Sequence, residues 1–321
     1  AGTGYALGAA GAGLTGVTSA AFNVTAGAAT RLAFLTQPTT TTAGAALSPA
    51  VQVEILDAVG NRVTTATSTV TIAIGTNPGG STLAGTASVS AVAGVVTFAG
   101  VSLNRTGTGY TLDATSGALT PATSAAFDIT PGAPAVLAIA QQPTGTSVGA
   151  TIAPPVTVRI QDASGNLTAS TATVSLAFGV NPGSATLGGT ASRAAVAGVA
   201  TFNDLSVSAA GVGYTLAASS SGLTGVTSAA FTIGAAASAT AILSDLPDPS
   251  VVGQAVTVGY QVTSAGGSPT GNVTVSDGAG TSCVATVAAG NCVLTFLTAG
   301  ARTLTATYAG DPNFSGSASA G

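Results

Sequence analysis

The chain has 321 residues, a formal net charge of −4, and only 5% charged residues against 46% hydrophobic ones. Its six basic residues are all arginines (Arg31, Arg62, Arg105, Arg159, Arg193 and Arg302), scattered without a patch, so neither nucleic acid nor an anionic lipid surface finds an electrostatic handle. His and Lys are absent, which removes the usual carriers of general acid–base and amine chemistry and leaves the many serines without a base to activate them.

Residues 1–27 contain Gly4-Tyr5-Ala6-Leu7 and Thr18-Ser19-Ala20-Ala21-Phe22, which predict one strand around Tyr5 to Gly8 and another around Ser19 to Thr25. Two strands do not make a domain, so this stretch reads as the C-terminal strands of an incomplete unit. A missing Met points the same way, toward a processed or truncated chain. The motif returns as Gly109-Tyr110-Thr111-Leu112 with Thr123-Ser124-Ala125-Ala126-Phe127, and again as Gly213-Tyr214-Thr215-Leu216 with Thr227-Ser228-Ala229-Ala230-Phe231. The tyrosines lie 105 and 104 residues apart, the size of a whole domain and not of a solenoid unit.

The first full unit, residues 28–132, alternates apolar and polar residues in short runs: Leu32 and Phe34; Val51, Val53 and Ile55; Val70, Ile72 and Ile74; Tyr110 and Leu112; Phe127 and Ile129. Period two marks half-buried strands. Turn signals punctuate them at Gln37-Pro38, Asp57 to Asn61, Asn77 to Gly80, Ala93-Gly94 and Ser116-Gly117, which predicts seven or eight antiparallel strands in a β-sandwich. The second unit, residues 133–234, repeats that punctuation at Gln142-Pro143, Asp162 to Asn166 and Asn181-Pro182-Gly183. Tyr5, Tyr110 and Tyr214 stand where such sandwiches place a structural tyrosine whose hydroxyl bonds upstream backbone. The linkers, 25–30, 130–135 and 234–239, are short and made of small residues, which predicts tandem sandwiches arranged as an elongated rod.

Residues 235–321 depart from the pattern but still alternate, through Val256-Thr257-Val258-Gly259-Tyr260 and Asn272-Val273-Thr274-Val275, to Leu304-Thr305-Ala306-Thr307-Tyr308-Ala309-Gly310-Asp311-Pro312-Asn313-Phe314. This last unit resembles a bacterial type 3 Ig-like repeat. The earlier ones, with their Asp-x-x-Gly-Asn turns and Gly-Tyr-Thr-Leu strands, are similar to the Ig-like repeats of bacterial surface proteins. The resemblance implies an all-β chain of tandem immunoglobulin-like sandwiches placed outside the cell or on its surface. Members of the type 3 family continue beyond Asn-Phe-Ser into a final strand, so the last domain is expected to be one strand short.

An exported location favours a disulfide between Cys283 and Cys292, the two cysteines of the chain. A flat hairpin turning at Ala288 to Asn291 would hold them beyond the roughly 7 Å bridging limit, so a bond requires Cys283 in a loop that folds back; two buried thiols are the alternative. Asp57, Gly60 and Asn61, and Asp162, Gly165 and Asn166, read as Asx turns capping hairpins and not as calcium ligands, since few other acids lie nearby. No metal site, no cofactor and no uninterrupted apolar run of membrane-spanning length is legible.

These readings converge on a non-enzymatic structural protein, a subunit of a surface stalk or filament. Its partners would be neighbouring Ig-like domains or further copies of itself, and head-to-tail strand donation by residues 1–27 is open to it. The second reading is an adhesin or phage-derived fibre that binds a glycan or receptor through the loops Asn77 to Thr82 and Asn181 to Thr186, which carry no aromatic platform.

Overall fold

A computed structural model describes residues 1–320, and among these every regular element is a strand except one turn of 3₁₀ helix at Val287–Ala289. The chain divides into two compact units, Ala1–Ala133 with Asp162–Thr168, and Pro134–Gln161 with Ala169–Gly321.

In the first unit, Val51–Leu56 runs antiparallel between Arg31–Thr36 and Val95–Phe98. Facing it, Ser88–Ser90, Thr69–Ile74, Leu112–Thr115 and Ala122–Thr123 form a second sheet, and Gly107–Tyr110, Phe127–Thr130 and Thr41–Thr42 a third. β-Branched and aromatic residues at alternate positions bury one face of each strand: Val51, Val53, Ile55, Val70, Ile72, Val96, Phe98, Tyr110, Leu112, Phe127 and Ile129 join one apolar cluster. Their neighbours Gln52, Thr69 and Thr71 face outward.

The strands are more fragmented than the apolar pattern predicts. The stretch expected as one strand through Tyr110 and Leu112 is two, Gly107–Tyr110 and Leu112–Thr115, and the register against Phe127–Thr130 shifts between Gly107 and Tyr110. The bulge has a sequence cause. Gly109 sits at φ 80°, a left-handed conformation that favours glycine, and a Cβ on Gly107 would stand 3.0 Å from the Tyr110 ring. Gly4 at φ 75° and Gly213 at φ 91° place the same bulge before Tyr5 and Tyr214. Residues 1–27 split likewise into Gly2–Tyr5, Gly8–Ala9, Val17–Thr18 and Phe22–Val24.

The second unit holds a three-stranded sheet, with Val156–Gln161 between Val136–Gln141 and Val199–Phe202, packed on a six-stranded sheet centred on Gly211–Ser219 and Thr173–Val180. Further along, Ala255–Thr263 pairs with Ala239–Leu246 and Asn291–Thr295, while Asn272–Ser276 pairs with Ser282–Thr286 and Thr305–Tyr308. Ser317–Ala318 adds to Thr305–Tyr308 as the last described strand. Apolar residues from Leu137 to Phe314 form one continuous cluster in this unit.

Candidate functional site

The polar side chains singled out by sequence are occupied with the fold itself. Asp57 accepts at Oδ1 from the amides of Val59 (3.1 Å) and Asn61 (2.8 Å), and at Oδ2 from Asn61 Nδ2 (2.9 Å). Gly60, at φ 93°, lets the chain reverse within that turn. Asp162 repeats the pattern with Ser164 and Asn166, around Gly165 at φ 81°. Each carboxylate also does something the sequence pattern does not announce: it accepts the amide of a linker glycine, Gly27 on Asp57 and Gly132 on Asp162, both at 2.9 Å. The separation is 30 residues in both cases, and that constant interval is the signal in the sequence.

Hydrogen bonds hold both acids below the ordinary carboxylate pKa. For Asp57 the leading cause is the Asn61 side chain, followed by the Gly27 amide. For Asp162, burial opposes ionisation most strongly, and the bonds from Asn166, Gly132 and Ser164 together outweigh it.

The tyrosines are structural in the two complete copies. Tyr110 donates to Arg105 O and Tyr214 to Ala209 O, each at 2.9 Å, and both rings are fully buried against Phe127 and Phe231. Tyr5 keeps the contact with its phenylalanine, Phe22, but is 47% exposed.

A serine node accompanies each tyrosine. Ser124 Oγ accepts the buried Leu112 amide at 2.9 Å and donates to Ala125 O, while the Ser124 amide returns a bond to Leu112 O. Ser228 does the same with Leu216 and Ser19 with Leu7, and Ser319 exchanges the same two amide bonds with Ala306. The adjoining amides of Ala125 and Ala229 are taken by Gln37 and Gln142, the glutamines that precede the early prolines. Thr-Ser-Ala-Ala-Phe thus marks a strand crossing.

Cys283 and Cys292 are joined by a disulfide with their Cα atoms 6.0 Å apart. The geometry differs from the flat hairpin considered above and needs no folded-back loop. Cys283 lies in a regular strand opposite Val275, Cys292 lies opposite Val258 in the other sheet, and the 3₁₀ turn between them carries the chain across the sandwich edge.

The loops considered for glycan binding are closed on themselves. Asn77 bonds both the amide and the carbonyl of Ser81, and Asn181 does the same with Ala185. Beside Val256, Phe296 and Leu304 lies a cleft of about 450 Å³, whose arginine, Arg302, is committed to Asp277, to Thr298 and to the face of Phe296. Among the described residues no group of three or more His, Cys, Asp or Glu side chains converges.

Residues 243–321 match the bacterial Ig-like domain (group 3). This Ig-like match falls on the sandwich that carries the disulfide. No curated protein matches the chain in sequence. Among solved structures, the chain is similar to the FN1–FN3 domains of chicken CNTN1 (12% identity, TM-score 0.30, covering 87% of this chain and 90% of that one). It is also similar to the adhesin InvE of Yersinia pseudotuberculosis (17%, 0.25, 63% and 58%) and to a β-glycosidase from Bacteroides vulgatus (13%, 0.27, 61% and 24%). The chain therefore spans about a quarter of the length of the glycosidase and just over half that of the adhesin.

Proposed function

We propose that this chain is a non-enzymatic structural segment of an extracellular bacterial surface protein, in which tandem Ig-like sandwiches provide spacing and cohesion. The observation that carries the reading is where the polar groups go. The recurring Asp, Asn, Ser, Gln and Tyr side chains satisfy turns, linkers and strand crossings, at matching positions in successive modules, and none is left converging on a common point. Spending polar side chains this way supports mechanical constancy, since buried main-chain groups stay paired where the strands break.

Pulling the full chain at its two ends tests the proposal. Separate unfolding events are expected, each of the two modules between residues 28 and 234 releasing on the order of 30 nm of chain, at about 3.4 Å for each of roughly 100 residues. A single low-force event without discrete steps would overturn it. The apolar side chains exposed on residues 1–24 (Tyr5, Leu7, Leu14, Val17, Phe22 and Val24) support the further proposal that strands of another module cover this hairpin. If a neighbouring chain supplies them, self-association in sedimentation should fall when residues 1–27 are deleted, and a chain that stays monomeric at every concentration excludes that source.

A further inference from the structure

We infer that Asn313 is a lock, latching the main chain immediately ahead of the Gly211-Val212-Gly213-Tyr214 strand so that the small-residue linker at 234–239 becomes a fixed joint. In the first unit Asn166 Oδ1 accepts from the Thr106 amide at 3.2 Å. In the second unit Asn313 Oδ1 accepts from the Ala210 amide at 2.9 Å. The two donors occupy one position: each stands four residues before its tyrosine, Tyr110 or Tyr214.

What makes this more than a repeated turn is that the Asn313 contact is built from a different loop. Asn61 and Asn166 follow their aspartates by four residues, whereas Asn313 follows Asp311 by two. Asp311 Oδ1 accepts the amides of Asn313 and Phe314, and its Oδ2 takes both the amide and the hydroxyl of Thr270. Unlike loops thus present an asparagine oxygen, held by an aspartate, to the same point of the preceding strand.

The linker residues are held by equally different means. Gly27 and Gly132 give their amides to Asp57 and Asp162, while Ala236 exchanges main-chain bonds with the lock loop itself, donating to Asn313 O and accepting from Ser315. Glycines allow the close approach in the second unit: a Cβ on Gly266 would stand 2.5 Å from Val148 O, and one on Gly149 would stand 2.7 Å from Gly266 O. Short linkers of small residues are flexible by themselves. A rigid connection must therefore come from such side-chain contacts, and the lock is a property of the joint that survives even if the structural-protein reading fails.

The test uses the full chain and reads amide exchange at Ala210 together with the tumbling of residues 133–234 and 239–320 by nuclear relaxation. Asn313→Ala is expected to speed Ala210 exchange at least tenfold and to let the two segments tumble separately, with the amides inside each sandwich unchanged. Asn313→Asp, which keeps an acceptor oxygen, is expected to stay within about twofold of the native chain. The same change at Asn166 is expected to fail, because its Nδ2 also donates to Asn104 O and to the Asp162 carboxylate. Asn313→Ser, too short to reach Ala210, serves where the alanine variant does not fold. Native exchange at Ala210 and common tumbling in either variant would overturn the lock; so would failure of both to fold, which would assign Asn313 to the stability of its own module.

Discussion

The hairpin of residues 2–24 and the hairpin of residues 107–130 share a motif and a register, and they differ in what covers them. Gly2 faces Val24 and Tyr5 faces Phe22; Gly107 faces Ile129 and Tyr110 faces Phe127, with the bulge at the same place. Yet Tyr5 is 47% exposed and Leu7 69%, whereas Tyr110 and Leu112 are fully buried, as are Tyr214 and Leu216. Local chemistry, a left-handed glycine and a serine node, is therefore enough to set the pairing. Burial is set by strands far away in sequence, Val51–Leu56, Thr69–Ile74 and Val95–Phe98. The same residue types thus have very different energetic weight in the two places.

Substitutions at matched positions sharpen that comparison. Tyr110→Ala opens a cavity in a closed core and should cost the first sandwich about 3–5 kcal/mol in urea unfolding, while Tyr5→Ala should cost less than about 1 kcal/mol. Near-equal effects would mean that the N-terminal hairpin is covered in solution. Ser124→Ala strands the buried Leu112 amide and should cost about 1–3 kcal/mol, against less than about 0.5 kcal/mol for Ser19→Ala, whose partner amide on Leu7 is exposed to water. Tyr214→Phe keeps the ring and removes only the bond to Ala209 O, so its cost should be about 1 kcal/mol. A larger loss there would show that the hydroxyl, and not the ring, is what holds the corner.

Period-two apolar residues and the turn dipeptides made the sandwich strands legible, because half-buried strands leave that trace directly in the residues. Ala93-Gly94 is a case in point: Val92 and Val95 exchange hydrogen bonds around a two-residue turn with both central φ values positive, 51° and 74°. The partners of the turns were not legible from the turn residues themselves. Nothing in Asp162 or Asn166 alone says that one takes a linker amide and the other an amide 60 residues earlier, since the donors are main-chain groups of small residues that have no chemistry of their own. The crossing of the disulfide between sheets was hidden for a similar reason. Residues 281–296 read as one hairpin until the 3₁₀ turn sends their two arms to opposite sides of the core.

The smallest expected effect concerns acid and the two linker glycines, which distinguish an exposed hairpin's joint from that of a buried one. Both Asp57 and Asp162 have lowered folded pKa values, through the hydrogen bonds each accepts from its turn and its linker glycine. A lowered value means that the folded turn prefers the carboxylate. Its contribution is present in full above the unfolded pKa near 3.9 and is lost as pH falls through the folded value. The amide resonances of Gly27 and Gly132 should therefore hold their hydrogen-bonded positions through pH 4 and shift only in stronger acid. A midpoint for Gly27 at the ordinary carboxylate value, with Gly132 still unshifted, would show that the first joint is loose in solution; joint behaviour would show that the turn holds its linker glycine whether or not the preceding strands are covered.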